Sequence, residues 1–144
     1  MSASNLSKFT TWLGFLKPKK EKEAAVKMIK DLGIKTPNEN QKVAFLSGGN
    51  QQKVAVGKWL MTEAMVYLFD EPTKGVDVGA KAEIYNELKK LTAQGKSILL
   101  ISSELPELLL LSDCIAIMYN VNMKGILQHD EATEERITAM ASGI

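Results

Sequence analysis

Hydrophobic and polar positions along the chain follow two different periods. In EKEAAVKMIKDL (residues 21–32), Ala25, Met28, Ile29 and Leu32 recur three and four apart, which predicts an amphipathic helix. Gly33 follows where such a helix needs a stop. IKTPNENQKVAF carries a Pro-Asn turn signal and almost no periodicity, so it reads as a loop. A second helix is expected from about Asn50 to Thr62, with Val56, Trp59 and Leu60 among its buried residues. MVYLF (65–69) and SILLIS (97–102) are apolar runs of strand length, suited to the centre of a parallel sheet covered on both faces. Between them Ala82, Tyr85, Leu88 and Leu91 give residues 78–93 helical spacing, ended by Gly95, which makes a strand-helix-strand unit. A helix over about 104–111 follows, with Pro106 tolerated in its first turn, and then a strand over 115–119. Asn120 and Asn122 bracket a hairpin turn into KGILQ, and EATEERITAMA reads as a closing helix with acids in its first turn. Helices first and then alternating strand and helix give an α/β fold class.

Composition narrows the partners. The 144 residues are 45% hydrophobic, enough for one core of ordinary domain size. Eighteen basic residues nearly balance 17 acidic ones, so no overall field favours nucleic acid or anionic lipid. No apolar run reaches the roughly 18 residues that span a bilayer. In MSASNLSKFTTWLGFLKPKK the positive charge mostly follows the apolar part, unlike a signal peptide, and a cytoplasmic chain is expected. Cys114, in the apolar stretch Cys-Ile-Ala-Ile, is expected as a buried, inert thiol. His129 has no second candidate ligand beside it, so no metal site built on His and Cys is expected.

Two short strings carry chemistry. In LSGGNQQK (46–53), Ser47, Gly48 and Gly49 precede a helix whose first amides point outward at its positive end, and the absent side chains let a phosphate approach. By itself such a turn reads equally as a helix cap. In VYLFDEP, Asp70 and Glu71 sit at the carboxyl end of a strand, the edge where open α/β sheets bind ligands. One carboxylate there can hold hydrated magnesium while its neighbour orients or deprotonates water, as phosphoanhydride hydrolysis requires. An acidic pair alone also marks an exposed strand end; Pro72 and the nearby Asp77 in KGVD weigh against that reading.

Taken in order, LSGGNQQK, VYLFDEPTKGVD and LLISSELPELL resemble the signature motif, Walker B strand and D-loop of the ATP-binding cassette (ABC) ATPases, followed by the strand that leads to the switch position. LSGGNQQKVAVGKWL, DVGAKAEIYNEL, ISSELPELL and EATEERI are similar to the second cassette of double-cassette ATPases that drive bacterial import of ribose, xylose, galactose and related monosaccharides. The resemblance covers nearly the whole chain from residue 21. It implies the C-terminal part of an ABC-type (RecA-like) P-loop NTPase domain: residues 1–60 as part of the helical signature subdomain, and 61–144 as the C-terminal part of the ATPase core.

Carried over by motif, the resemblance makes Asp70 the magnesium-side carboxylate and Glu71 the base that polarises the attacking water. Leu46, Ser47, Gly48, Gly49, Asn50 and Gln51 become the signature that meets the γ-phosphate, and Asp77 the D-loop residue crossing a dimer interface. Ser103 stands where most cassettes have a switch histidine and cannot shuttle a proton as histidine does. The implied ligands are ATP and Mg2+. The implied partners are another cassette, transmembrane permease subunits and, indirectly, an extracytoplasmic sugar-binding protein, with no nucleic acid, at the inner face of the bacterial membrane. Non-transport ABC ATPases of DNA maintenance or translation carry similar strings, but the only concentrated basic run here is KPKKEK. A dimerising regulatory fragment is the remaining alternative.

No P-loop, G-x-x-x-x-G-K-[ST], is present. Gly95-Lys96-Ser97 lacks the earlier glycine, since position 90 is Lys90, and Gly57-Lys58 is followed by Trp59. The expectation is therefore a C-terminal fragment of a longer protein, inactive alone, with the Walker A half missing.

Overall fold

The computed structural model describes residues 15–62 and 64–143. The chain is mixed α/β, and its contacts divide it into two compact units, one up to Leu99 and one from Leu100.

Among the described residues, the first helix of the first unit is α1 (Pro18–Asp31), where Pro18 at the first helical position costs no hydrogen bond. Met28 and Leu32 are buried, and Gly33 stops the helix at φ +52°, as its position implied. A loop with a short 3-10 turn (Val43–Phe45) leads to α2 (Gly48–Leu60). The buried positions of α2 are Lys53, Val56 and Gly57, three and four apart. Trp59 lies off that face and is 53% exposed, with the Lys58 ammonium 5.1 Å from its ring centroid. The expected burial of Trp59 is thus corrected, and Leu60 is only half-buried.

Strand β1 (Val66–Asp70) pairs with β2 (Ser97–Ile101), and α3 (Val78–Ala93) connects them. Ser97 N–H donates to Met65 O at 2.9 Å. Both strands therefore begin at the same edge, the parallel arrangement that a helical crossover permits. Tyr67 and Phe69 are buried on one face of β1 with their rings stacked, centroids 6.0 Å apart. The opposite face carries Val66 and Leu68, 66% and 67% exposed, and Leu99 and Ile101 are exposed on β2. Among the described residues, then, these strands are covered on one face and not on both as their composition suggested. In α3 the buried residues are Ala80, Ile84, Leu88 and Leu91; Ala82 faces water and Tyr85 is half-buried.

The second unit contains α4 (Leu105–Leu111), β3 (Cys114–Tyr119), β4 (Asn122–Gln128) and α5 (Glu134–Ala141). Strands β3 and β4 form an antiparallel hairpin, with Ile115 opposite Leu127 and Ile117 opposite Gly125, and a register shift before Met118. Ile115, Ile117, Leu127 and Ile137 are its core, with Leu105, Leu108 and Leu109 of α4 against them. Thr133 caps α5 by accepting from Arg136 N–H. Because Ile115 and Ile117 point inward, alternation turns Cys114 outward, and the thiol expected to be buried is exposed.

The hairpin turn places two non-glycine residues at positive φ, Asn120 at +46° and Val121 at +64°. This is the two-residue geometry that favours Asn-Gly, and a β-branched side chain at its second position is strained. Val121 is 94% exposed and recovers nothing by packing. Val121→Gly is expected to stabilise the second unit by about 1 kcal/mol, the scale of one such outlier. A raised urea midpoint checks this, and no rise would show that the turn does not hold Val121 in this conformation.

Candidate functional site

The sequence candidates of the first unit gather around the start of α2 and the loop after β1. Ser47 is the N-cap residue of α2 in extended conformation, yet its hydroxyl does not bond the helix backbone. Its Oγ accepts instead from Asn50 Nδ2 at 2.8 Å. The amide oxygen of Asn50 in turn accepts from Lys35 N–H at 2.9 Å, and Gln51 Nε2 donates to Leu46 O at 2.9 Å. Leu46, Asn50 and Gln51 thus brace the turn. The first-turn N–H groups of Gly48 and Gly49, which an α-helix does not pair internally, remain at its positive end.

The two glycines have different reasons to lack a side chain. A Cβ at Gly48 meets nothing within 4 Å, so its bareness opens the turn to solvent. A Cβ at Gly49 lies 3.7 Å from Val76 Cα and 3.8 Å from Gly75 O, so there the helix packs close to the loop ahead of α3.

That loop begins where β1 ends. Asp70 is exposed and Glu71 half-buried, and Glu71 has φ +49°, a left-handed conformation costing on the order of 1–3 kcal/mol for such a residue. Lys74 N–H donates back to Glu71 O at 3.2 Å, closing a turn whose second residue is Pro72. Pro72 and Thr73 are fully buried. Asp77 ends the segment as the N-cap of α3, its carboxylate accepting from Ala80 N–H at 2.9 Å.

Sequence reasoning assigned no role to Gln52 and Lys53, two residues of α2 whose side chains reach distant parts of this unit. Gln52 Nε2 donates to Glu71 O at 3.2 Å and to Pro72 O at 3.1 Å. Lys53 is 4% exposed, and its ammonium donates to Gly33 O at 3.2 Å and to the Glu83 carboxylate on α3. The available signal for Lys53 was its place three and four residues before Val56 and Gly57, since a lysine on a buried stripe needs a partner. Ser103 belongs to the second unit, where with Ser102 it borders a cavity of about 340 Å³ floored by Ile115 and Ile117.

The model of the ABC transporter family matches residues 2–74, which include the turn at Ser47 and the acidic pair after β1. The chain belongs to the ABC transporter family. It is 48% identical over 144 residues to the ribose import ATP-binding protein RbsA of Clostridium perfringens, and 46% identical over 143 residues to that of Caldanaerobacter subterraneus. The chain spans 29% of the length of each of these curated relatives. Among solved structures it superposes on MJ1267, an ATP-binding cassette of an ABC transporter, with TM-score 0.70 and 25% identity over 93% of this chain and 54% of that one. The dimeric ABC cassette MJ0796 shares the fold at TM-score 0.72.

For an ABC chain the donor set fits magnesium in the manner of phosphate enzymes. Among the described residues no three acidic, His or Cys side chains gather into a cage. Magnesium retains its waters and phosphate ligands and needs only one or two carboxylates, which Asp70 and Glu71 offer at one strand end.

Lys53 ties α2 to the turn at Gly33 that follows α1 and to Glu83 of α3, so its loss leaves the Gly33 carbonyl without this donor. Lys53→Met is expected to destabilise the chain by about 1–3 kcal/mol in urea denaturation. Gly33→Ala should also destabilise, since a Cβ at this positive-φ position runs into the Glu83 carboxylate. The combined variant should lose less than the sum of the two, because they break one shared contact. Strict additivity would show that the two sites are independent.

Proposed function

We propose that this chain forms part of the ATP-hydrolysing subunit of an ABC importer for monosaccharides. In this reading residues 1–60 belong to the helical signature subdomain and 61–144 to the C-terminal part of the ATPase core, in a second cassette. The observation that carries it is the open turn at Ser47, Gly48 and Gly49 on a helix pressed against the segment from Asp70, at the end of β1, through Glu71 to Asp77. The names of the relatives, ribose import ATP-binding proteins, support the substrate class.

Each residue then has a definite task. The N–H groups of Gly48 and Gly49 bind the γ-phosphate of an ATP held by the P-loop of another cassette. The Ser47 hydroxyl accepts from Asn50, which leaves its own proton free to donate to a phosphate oxygen. Asp70 holds Mg2+, which supplies charge neutralisation on the phosphates when bound. Glu71 takes a proton from the attacking water at this cassette's own nucleotide. Asp77 stands at the interface between cassettes, and Ser103 occupies the switch position, where a hydroxyl orients but does not carry a full proton transfer. Permease subunits and the second cassette are the partners, at the inner face of the membrane. The exposed apolar face of β1 and β2 is covered by the rest of the cassette.

In an intact ATPase carrying these residues, Gly48→Asp sets a carboxylate against the γ-phosphate, and sugar uptake should fall at least about tenfold, the worth of one charge-assisted contact. Unchanged uptake would falsify the signature role. Glu71→Gln should lower ATP turnover by about 10²–10⁴, the range of a positioned general base. The 144-residue chain alone, having no P-loop, should show no steady-state hydrolysis. Turnover by that chain that disappears in Glu71→Gln would contradict the half-site reading.

A further inference from the structure

We propose that Gln52 is a positioning residue for Glu71, through which the turn facing one nucleotide is linked to the carboxylate that activates water at the other. The proposal rests on the reading of Ser47, Gly48, Gly49 and Glu71 given above.

The side-chain amide of Gln52 has two protons, and two consecutive carbonyls receive them: Glu71 O at 3.2 Å and Pro72 O at 3.1 Å. Together with Lys74 N–H, Gln52 gives Glu71 O two donors, one for each lone pair. Those bonds fix the peptide plane that follows Glu71, while β1 fixes the plane that precedes it. The left-handed φ of +49° is one of the two torsions that relate these planes. A return of Glu71 to ordinary φ would swing its carbonyl away from Gln52, so the hydrogen bonds and the unusual torsion hold one another. The same torsion sets the direction in which the Glu71 side chain leaves the backbone.

Gln52 also lies one helical turn from Ser47, Gly48 and Gly49. A helix is stiff over one turn, and Gly49 packs against Gly75 and Val76 on the far side of the same loop. An anion that draws the start of α2 forward therefore pulls on both ends of the loop that carries Glu71. Such a connection makes the geometry of one site depend on occupancy of the other without any change in the global fold.

Three replacements separate donation from packing. Gln52→Met keeps the length and loses the donors, Gln52→Glu keeps the shape and presents acceptor oxygens to carbonyls, and Gln52→Arg restores two donors. In the 144-residue chain, the carbonyl carbon resonances of Glu71 and Pro72 should move in the Met and Glu variants and return toward their original positions in the Arg variant. In the intact ATPase, the Met variant should lose kcat by about 100-fold with KM for ATP nearly unchanged, as for a reacting group misplaced by about 1 Å, and Arg should restore much of it. Carbonyl resonances that ignore all three replacements overturn the proposal. So does wild-type kcat in Gln52→Met when Glu71→Gln is inactive. If Glu71→Gln itself keeps full turnover, the role of Glu71 fails and the catalytic half of the proposal falls with it, whereas the resonances still report the hydrogen bonds independently.

Discussion

The first unit is organised by the contact of α2 with the segment between β1 and α3. Two neighbouring side chains make it in different ways. Lys53 carries a charge into a nearly dry position and is tolerated there because a carbonyl and a carboxylate receive it. Gln52 carries no charge and reaches two backbone carbonyls instead. Successive residues on a helix point about 100° apart, so one helix can hold the Gly33 turn and α3 with one residue and the loop after β1 with the next. The placement of Gly48, Gly49, Asp70, Glu71 and Asp77 within one region follows from that arrangement.

Periodicity alone marks most of the architecture. The helices of residues 18–31, 78–93 and 134–141, and the hairpin after Asn120, fall where spacing and turn residues put them. Side-chain burial was less legible, and the reason differs from place to place. Trp59 is apolar, but the stripe of α2 is set by Lys53, Val56 and Gly57, so a charged residue and a glycine displaced the aromatic from the buried face. Cys114 sits among apolar neighbours, and only strand alternation decides that Ile115 and not Cys114 turns inward. Apolar residues alone did not reveal which face of a strand is covered. Val66 and Leu68 are as apolar as a doubly covered strand requires, and yet both are exposed among the described residues.

The candidate residues were legible as motifs, and their hydrogen-bond partners were not. Ser47, Gly48, Gly49, Asp70, Glu71 and Asp77 announce themselves by type and order. The use of each side chain does not. Ser47 occupies an N-cap position and yet engages Asn50, and Asp77 spends its carboxylate on the cap of α3. Glu71 adopts a left-handed backbone that no local preference favours, since Glu has neither the short side chain of Asn nor the freedom of Gly. The side chain that donates to the Glu71 carbonyl is Gln52, 19 positions earlier, and nothing in a linear string pairs the two. Long-range hydrogen bonds of this kind lie outside any reading based on period or motif.

The two glycines show how one repeated letter answers two physical demands. Gly48 leaves space in front of the helix, so no side chain of its own screens the backbone N–H groups there. Gly49 leaves space behind it, so α2 can lie against Gly75 and Val76. The first demand concerns a ligand and the second concerns packing, and both must be met within one turn for an event at the anion to reach the loop. A turn open in front but loosely packed behind would bind phosphate without transmitting anything; one tightly packed but closed in front would have nothing to transmit. On the reading proposed above, the pairing of an open Gly48 with a packed Gly49, one helical turn before Gln52, joins recognition at the surface to the backbone that carries Glu71.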